Sequence, residues 1–320
     1  MQSVTPLVSA LVTTFNHETF IARAIESLLD QTYPAVEIII VDDGSQDQTF
    51  EIACAYRSRG VRVLRGPRKG PSSAMNMAMA EARGDVFLLQ SGDDMSHRTR
   101  AEVQIRALAD CDLHASLPTL IDGQGRSRPD SDFPVFFREA PADMKLAFKS
   151  FYESGNFLCA STVAIKRTAW ERIGGFHPGL LQLQDYEYWL RALTAGLVLT
   201  VARDRLASYR IHDNNLSVSR HDIRMHRELG TIFRFLGPNI PTEFMNAILY
   251  GGSFDGLGSD HVDRAILMAL LFLRHPIEAV RQIGIDGLIQ SLGDARLAAD
   301  LEHQLSLSFR TIFDLLLVRG

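Results

Sequence analysis

Residues 36–47 read VEIIIVDDGSQD, with five apolar β-branched side chains in the first six positions, followed at once by a turn of Asp, Gly and Ser. A half-exposed strand alternates apolar and polar residues. A run that is apolar on both faces of the pleat is how a strand of a parallel sheet reads when it is covered on both sides. This run therefore predicts a doubly covered sheet, and its neighbours extend the pattern. Upstream, Val8 to Thr13 is a second short apolar strand. It precedes a helix whose Phe20, Ile21, Ala24, Ile25, Leu28 and Leu29 share one face, with Asn16 placed to cap its start and Tyr33-Pro34 to end it. Downstream come a helix over 49–57, a strand over 61–64, a helix over 72–83 and a strand over 85–89. Strands alternating with helices predict βαβ units in an open, mainly parallel, Rossmann-like α/β sheet over about the first 110 residues.

In such sheets ligands sit beyond the carboxyl ends of the strands. The turns TTFN (13–16), DDGSQD (42–47) and QSGDD (90–94) all fall on that edge and bring Asp42, Asp43, Asp93 and Asp94 together. Taken singly, each acidic turn could be nothing more than a turn, because Asp and Gly are what turns use. Two of them one βαβ unit apart could instead supply a carboxylate for a base or ribose and others for a divalent cation on a diphosphate.

Beyond the sheet, residues 113–136 read as a loop-rich excursion. Regular structure resumes over 157–166, followed by a helix over 168–173, GGF, a helix over 184–195 and a strand over 197–202. After about Ser219 the pattern becomes mostly helical, which predicts a separate C-terminal helical region over 220–320. The net charge of -5 gives no broad attraction to polyanions, so nucleic acid is not an expected partner. Three scattered cysteines without C-x-x-C spacing read as reduced thiols. The N-terminus has no basic leader region, and the longest uncharged apolar run, Ala265 to Leu273, is less than half of the ~20 residues a membrane span needs. That run and FDLLL at 313–317 are expected to be core or a self-association surface through the C-terminal helices, with peripheral membrane contact as the lesser alternative.

The order of these elements resembles the family 2 (GT-A type) inverting glycosyltransferases. The matching stretches are residues 12–49, SAMNMAMAEARGDVFLLQSGDD (73–94), IGGFHPGLLQLQDYEYWLRA (173–192) and YRIHDNNLS (209–217). The resemblance implies a GT-A domain over 1–219, with a nucleotide-binding half (1–110) and an acceptor-side half (111–219). It implies a cytoplasmic enzyme, at most peripheral at the inner face of a membrane, that transfers a single sugar from a nucleotide-diphosphate donor, UDP in the first instance, to a saccharide, lipid-linked or other hydroxyl acceptor with Mn2+ or Mg2+. It places Thr13 and Phe15 around the nucleotide, Asp43 on the base, Asp93 near the donor sugar and ribose, Asp94 on the metal and Asp185 as catalytic base.

Asp185 could also be an ordinary N-cap of its helix. His212 could be a metal or diphosphate contact or a solvated loop histidine. Tyr188 and Trp189 could stack on an acceptor sugar or pack in the core. Three positions depart from the family pattern: Ser91 stands where many relatives carry an acid, Met75 where they often carry Arg, and Gln184 where they often carry Glu. Those departures keep open a weakened sugar-nucleotide-binding or scaffold protein. A sugar nucleotidyltransferase fits less well, because TTFNHETF is neither Gly-rich nor basic.

Overall fold

The computed structural model describes residues 5–138, 143–213, 215, 222–250 and 263–305. Its contacts divide the chain into two units, Met1–Met144 with Asn156–Arg220, and Lys145–Gly155 with His221–Gly320.

The first unit is built on the expected alternation of β1 (Val8–Thr14), α1 (Ile21–Leu29), β2 (Val36–Asp42), α2 (Thr49–Cys54), β3 (Arg62–Arg65), α3 (Pro71–Glu81) and β4 (Val86–Ser91). It continues through β5 (Met95–Ser96), α4 (Arg100–Ala107) and β6 (Leu113–Ile121). The helix α5 (Met144–Ser154) follows, and then β7 (Ala164–Lys166), α6 (Arg167–Ile173), α7 (Gln184–Thr194) and β8 (Leu199–Arg210). The sheet order is β3-β2-β1-β4-β7-β6-β8-β5. The first four strands are mutually parallel and the rest of the sheet is mixed. The chain thus reverses its strand order at β1, between β2 and β4, the kind of switch point where open α/β sheets bind ligands.

The doubly apolar strands are covered on both sides, as VEIIIV predicts. On one face Ala10, Val12, Ile38 and Ile40 pack against Ile21, Ile25 and Leu28 of α1. On the other, Leu11, Ile39 and Val41 are completely or almost completely buried where α3 meets β1 and β2. Four expectations are corrected.

Asn16 does not cap α1. It adopts a left-handed backbone (φ 55°), and its side chain accepts from the Gln46 N–H at 2.8 Å, so it joins the turn after β1 to the turn after β2. The helix starts later, at Ile21, and ends at Leu29, with Phe20 and Asp30 in the cap positions. Residues 113–121 are a strand rather than the start of a loop. Pro118, which cannot donate to the ladder, is accommodated by register shifts against β8 on either side of Leu117. The strand expected over 197–202 runs on to Arg210, because β8 is paired with β6 along its length and with β5 through Met95↔Ser208 and Ser96↔Ala207. Asp185 lies inside the first turn of α7, whose cap position is Leu183.

The IGGF segment is fixed by side-chain chemistry. Asn76 of α3 donates to the Phe176 carbonyl and accepts from its N–H, both at 2.7 Å. A Cβ on Gly175 would come within 2.3 Å of Asn76 Oδ1, so only glycine leaves room for this clamp.

The second unit holds α8 (Asp222–Leu236), α9 (Thr242–Tyr250), α10 (Arg264–Leu273), α11 (Glu278–Leu292) and α12 (Ala295–Leu305). Although α5 falls within 111–219, it packs with these helices: Phe148 meets Phe244, and the Tyr152 hydroxyl donates to the Leu271 carbonyl at 2.6 Å. The apolar run of α10 is core, with Ile266, Leu267, Ala269, Leu271 and Phe272 buried. FDLLL at 313–317 lies outside the described residues. Among the described residues no helix is long and apolar enough to cross a membrane.

The Asn76 clamp satisfies both backbone groups of Phe176 at once. Asn76→Ala should therefore cost about 1–3 kcal/mol in urea unfolding of the full chain, with no change in secondary structure by circular dichroism.

Candidate active site

Backbone bonds draw the three turns together. The Asp43 N–H donates to the Thr14 carbonyl and the Gly92 N–H to the Thr13 carbonyl, each at 2.9 Å. Gly92 allows that approach, since a Cβ there would lie 2.4 Å from Thr14 Oγ1 and 3.0 Å from His17 Nδ1. Asp42 caps its own turn, accepting from the N–H groups of Gly44 and Ser45. Asp43 uses its two oxygens on the N–H groups of Lys69 and Gly70, and so sets the loop that enters α3. Phe15 is 43% exposed on the same edge, an aromatic face open to a planar ligand.

The strand β8 delivers Arg210, His212 and Asn215 to the Asp93-Asp94 turn. The Arg210 side chain donates through Nε to the Asp93 carbonyl at 2.7 Å, and its backbone N–H donates to Asp94 Oδ1 at 2.8 Å. His212 Nε2 lies 3.0 Å from Asp93 Oδ2, and Asn215 Nδ2 donates weakly to the same oxygen at 3.4 Å. His17 Nε2 stands 3.7 Å from that oxygen as well. The other oxygen, Asp93 Oδ1, is buried and has no hydrogen-bond partner within 3.5 Å among the described residues. The ligand atoms of His17, Asp93 and His212 all fall within 4.8 Å of one another, which makes them a candidate metal centre among the described residues. Asp94, expected from the family resemblance as the metal ligand, is not in that group. It is buried, with Oδ1 bound to the Arg210 N–H.

Electrostatics separate the two neighbouring acids. Burial pushes the Asp93 carboxyl up, but the His212 hydrogen bond, the His17 ring and the Ser91 hydroxyl outweigh it and hold the group at about 2. Burial and the Asp93 charge push Asp94 well above the usual carboxylate range. Burial also lowers His17, which favours its neutral ring.

On the acceptor side, Asp185 Oδ2 accepts from Asn156 Nδ2 at 2.8 Å, and Asn156 is itself fixed by accepting from the Leu158 N–H at 3.1 Å. The buried thiol of Cys159 is pushed well up by burial first, then by the Asp94 charge and, more weakly, by that of Asp185. Tyr188 and Trp189 carry no exposed surface. Tyr188 stacks on Phe176 at 4.5 Å between ring centroids and Trp189 meets it edge-on, so both are core and the acceptor-stacking alternative falls. His17, Arg210, Asn215 and Asn156 carried no site role in the sequence reading. A histidine in a polar turn and an arginine at a strand end carry no sequence signal until the fold puts them against Asp93.

Residues 9–174, just over half of the chain, match Glycosyl transferase family 2, and the chain belongs to that family. An uncharacterized glycosyltransferase of Rickettsia typhi is 29% identical over 216 residues, which span 65% of each chain, so just under two thirds of that relative is matched. The putative teichuronic acid biosynthesis glycosyltransferase TuaG of Bacillus subtilis is 28% identical over 67% of this chain and 83% of its own. Among solved structures, S. aureus TarS in complex with UDP-GlcNAc aligns over 97% of this chain and 89% of its own, with a TM-score of 0.62 at 18% identity. The mannosyltransferase PcManGT from Pyrobaculum calidifontis, in complex with GDP-Man and Mn2+, aligns over 98% and 86%, with a TM-score of 0.59 at 18% identity. At that identity the likeness establishes the fold, which is GT-A.

A carboxyl held at about 2 when folded and near 3.8 when unfolded adds stability above the unfolded value, and that stability is lost as pH falls toward 2. Asp93→Asn should therefore flatten the acid limb of unfolding between pH 4 and pH 2, removing about 2 kcal/mol of pH-dependent stability in urea titrations.

Proposed function

We infer that this protein is an inverting transferase that moves one sugar from a nucleotide-diphosphate donor, a UDP-sugar in the first instance, to a hydroxyl acceptor in polysaccharide or glycoconjugate synthesis. The observation that carries this reading is the meeting of Asp93 with two imidazoles at the carboxyl edge of the parallel strands. Support for the role comes from the TuaG relative, and for the donor class from the nucleotide sugars bound by the two structural neighbours.

The donor set fits a divalent cation: a buried carboxylate, one oxygen of which has no hydrogen-bond partner among the described residues, beside two imidazole nitrogens. Asp93 and His212 would hold Mn2+ or Mg2+, which when bound neutralises charge on the departing diphosphate. Asp94 then serves to seat the turn through its bond to the Arg210 N–H. Thr13, Phe15 and Asp43 form the nucleotide end, with Phe15 offering a stacking face and Asp43 holding the Lys69-Gly70 backbone in place. In the reaction the acceptor oxygen bonds to the anomeric carbon as the bond from that carbon to the diphosphate oxygen breaks on the opposite face. Asp185 takes the hydroxyl proton, and Asn156 orients its carboxylate.

Asp185→Asn should lower kcat by at least about 100-fold while leaving the donor Kd within twofold, measured by product formation and calorimetry. Lost donor binding or retained turnover would remove Asp185 from the role. Asp93→Ala should abolish the Mn2+-dependent part of UDP binding and Asp94→Asn should keep it; the opposite pattern would return the metal to Asp94.

A further inference from the structure

His17 lies in the turn that leaves β1, far in sequence from the Asp93 turn and from His212. Its ring is nevertheless held against both. The His17 N–H donates to Thr49 Oγ1 at 2.7 Å, and that hydroxyl is in turn fixed by Asp47 at 2.5 Å. On the ring, Nδ1 lies 3.3 Å from Thr14 Oγ1, leaving Nε2 as the nitrogen directed at Asp93. The contact with the hydroxyl at Nδ1 holds the ring so that Nε2 is turned toward the Asp93 carboxylate, the orientation a histidine ligand needs.

The three ligand atoms lie within 4.8 Å of one another, close to the spacing of groups that share one ion. Asp93 Oδ2 is 3.0 Å from His212 Nε2 and 3.7 Å from His17 Nε2. Neighbouring ligands of one cation, with bonds of about 2.1 Å, stand roughly 3 Å apart or a little more. Asp93 is 6% exposed, and its Oδ1 has no hydrogen-bond partner among the described residues. Two imidazoles pack edge-on at 6.2 Å, and Phe20 lies 4.8 Å from the His212 ring, so both rings are held by packing rather than by solvent.

We propose that His17 is a third protein ligand of the cation, completing a His17–Asp93–His212 set that selects a first-row transition ion such as Mn2+ or Co2+ over Mg2+. The proposal rests on the metal reading given under Proposed function. Its chemistry differs from that of an all-oxygen site. Mg2+ prefers carboxylates and water and keeps its hydration, whereas imidazole nitrogen favours the transition ions, more so with each nitrogen added. The serine at position 91 fits the same picture, since it supplies no carboxylate to draw Mg2+ back.

The test uses the full chain with UDP, MnCl2 and MgCl2. Pulsed electron paramagnetic resonance of Mn2+ bound to the unmodified protein should show nitrogen coupling from two imidazoles, and one from His17→Gln. Competition should show Mg2+ displacing Mn2+ only at large excess, and His17→Gln should reduce that preference about tenfold or more. Coupling from a single imidazole in the unmodified protein, or an unchanged preference in a folded His17→Gln variant, would overturn the role of His17 while leaving the metal site of Asp93 and His212 standing. If neither cation binds the unmodified protein with UDP, the metal reading and this proposal fall together.

Discussion

Everything at this site depends on the seating of the Asp93-Asp94 turn by Arg210. One guanidinium holds the Asp93 carbonyl, the Arg210 N–H holds the Asp94 carboxylate, and the same side chain reaches the carbonyls of Asp122 and Gly123. Arg210 is fully buried, with its guanidinium 4.9 Å from the centre of the Phe20 ring. A buried cation is costly unless hydrogen bonds satisfy it, and here most of its donors end on the loops that must be aligned. The short β5–β8 pairing supplies the register. Together with the longer β6–β8 pairing, it brings the end of β8 to the Asp93 turn.

The same seating explains why two adjacent aspartates behave as different groups. Asp93 faces imidazoles and a side-chain amide, which favour its anion. Asp94 is sealed against backbone and feels the Asp93 charge, which disfavours a second anion in the same buried space. Two carboxylates in one turn therefore divide into a candidate ligand and a structural acceptor.

The parallel half of the fold is legible in the sequence through periodicity. VEIIIV and the α1 stripe carry the parallel half of the sheet because burial on two faces, or on one helical face, leaves a repeat in the residues themselves. The mixed half was harder. β6 hides behind Pro118, and β8 continues through charged residues because it is half exposed and paired along its edges. Asn16 looked like a helix cap because its residue type suits both a cap and a left-handed turn, and nothing local separates the two. Tyr188 and Trp189 are ambiguous for the same reason, since an aromatic stripe serves a core and a sugar platform alike.

Consecutive residues alone specify the parallel half of the sheet, the edge on which its acidic turns gather and the family to which the chain belongs, because strand burial and turn chemistry are local properties. The tertiary structure decided which acid faces the imidazoles. Asp93, His17 and His212 lie in three separate segments of the chain, and their meeting depends on strand register, on the room left by Gly92 and on the reach of Arg210, none of which any one segment encodes alone.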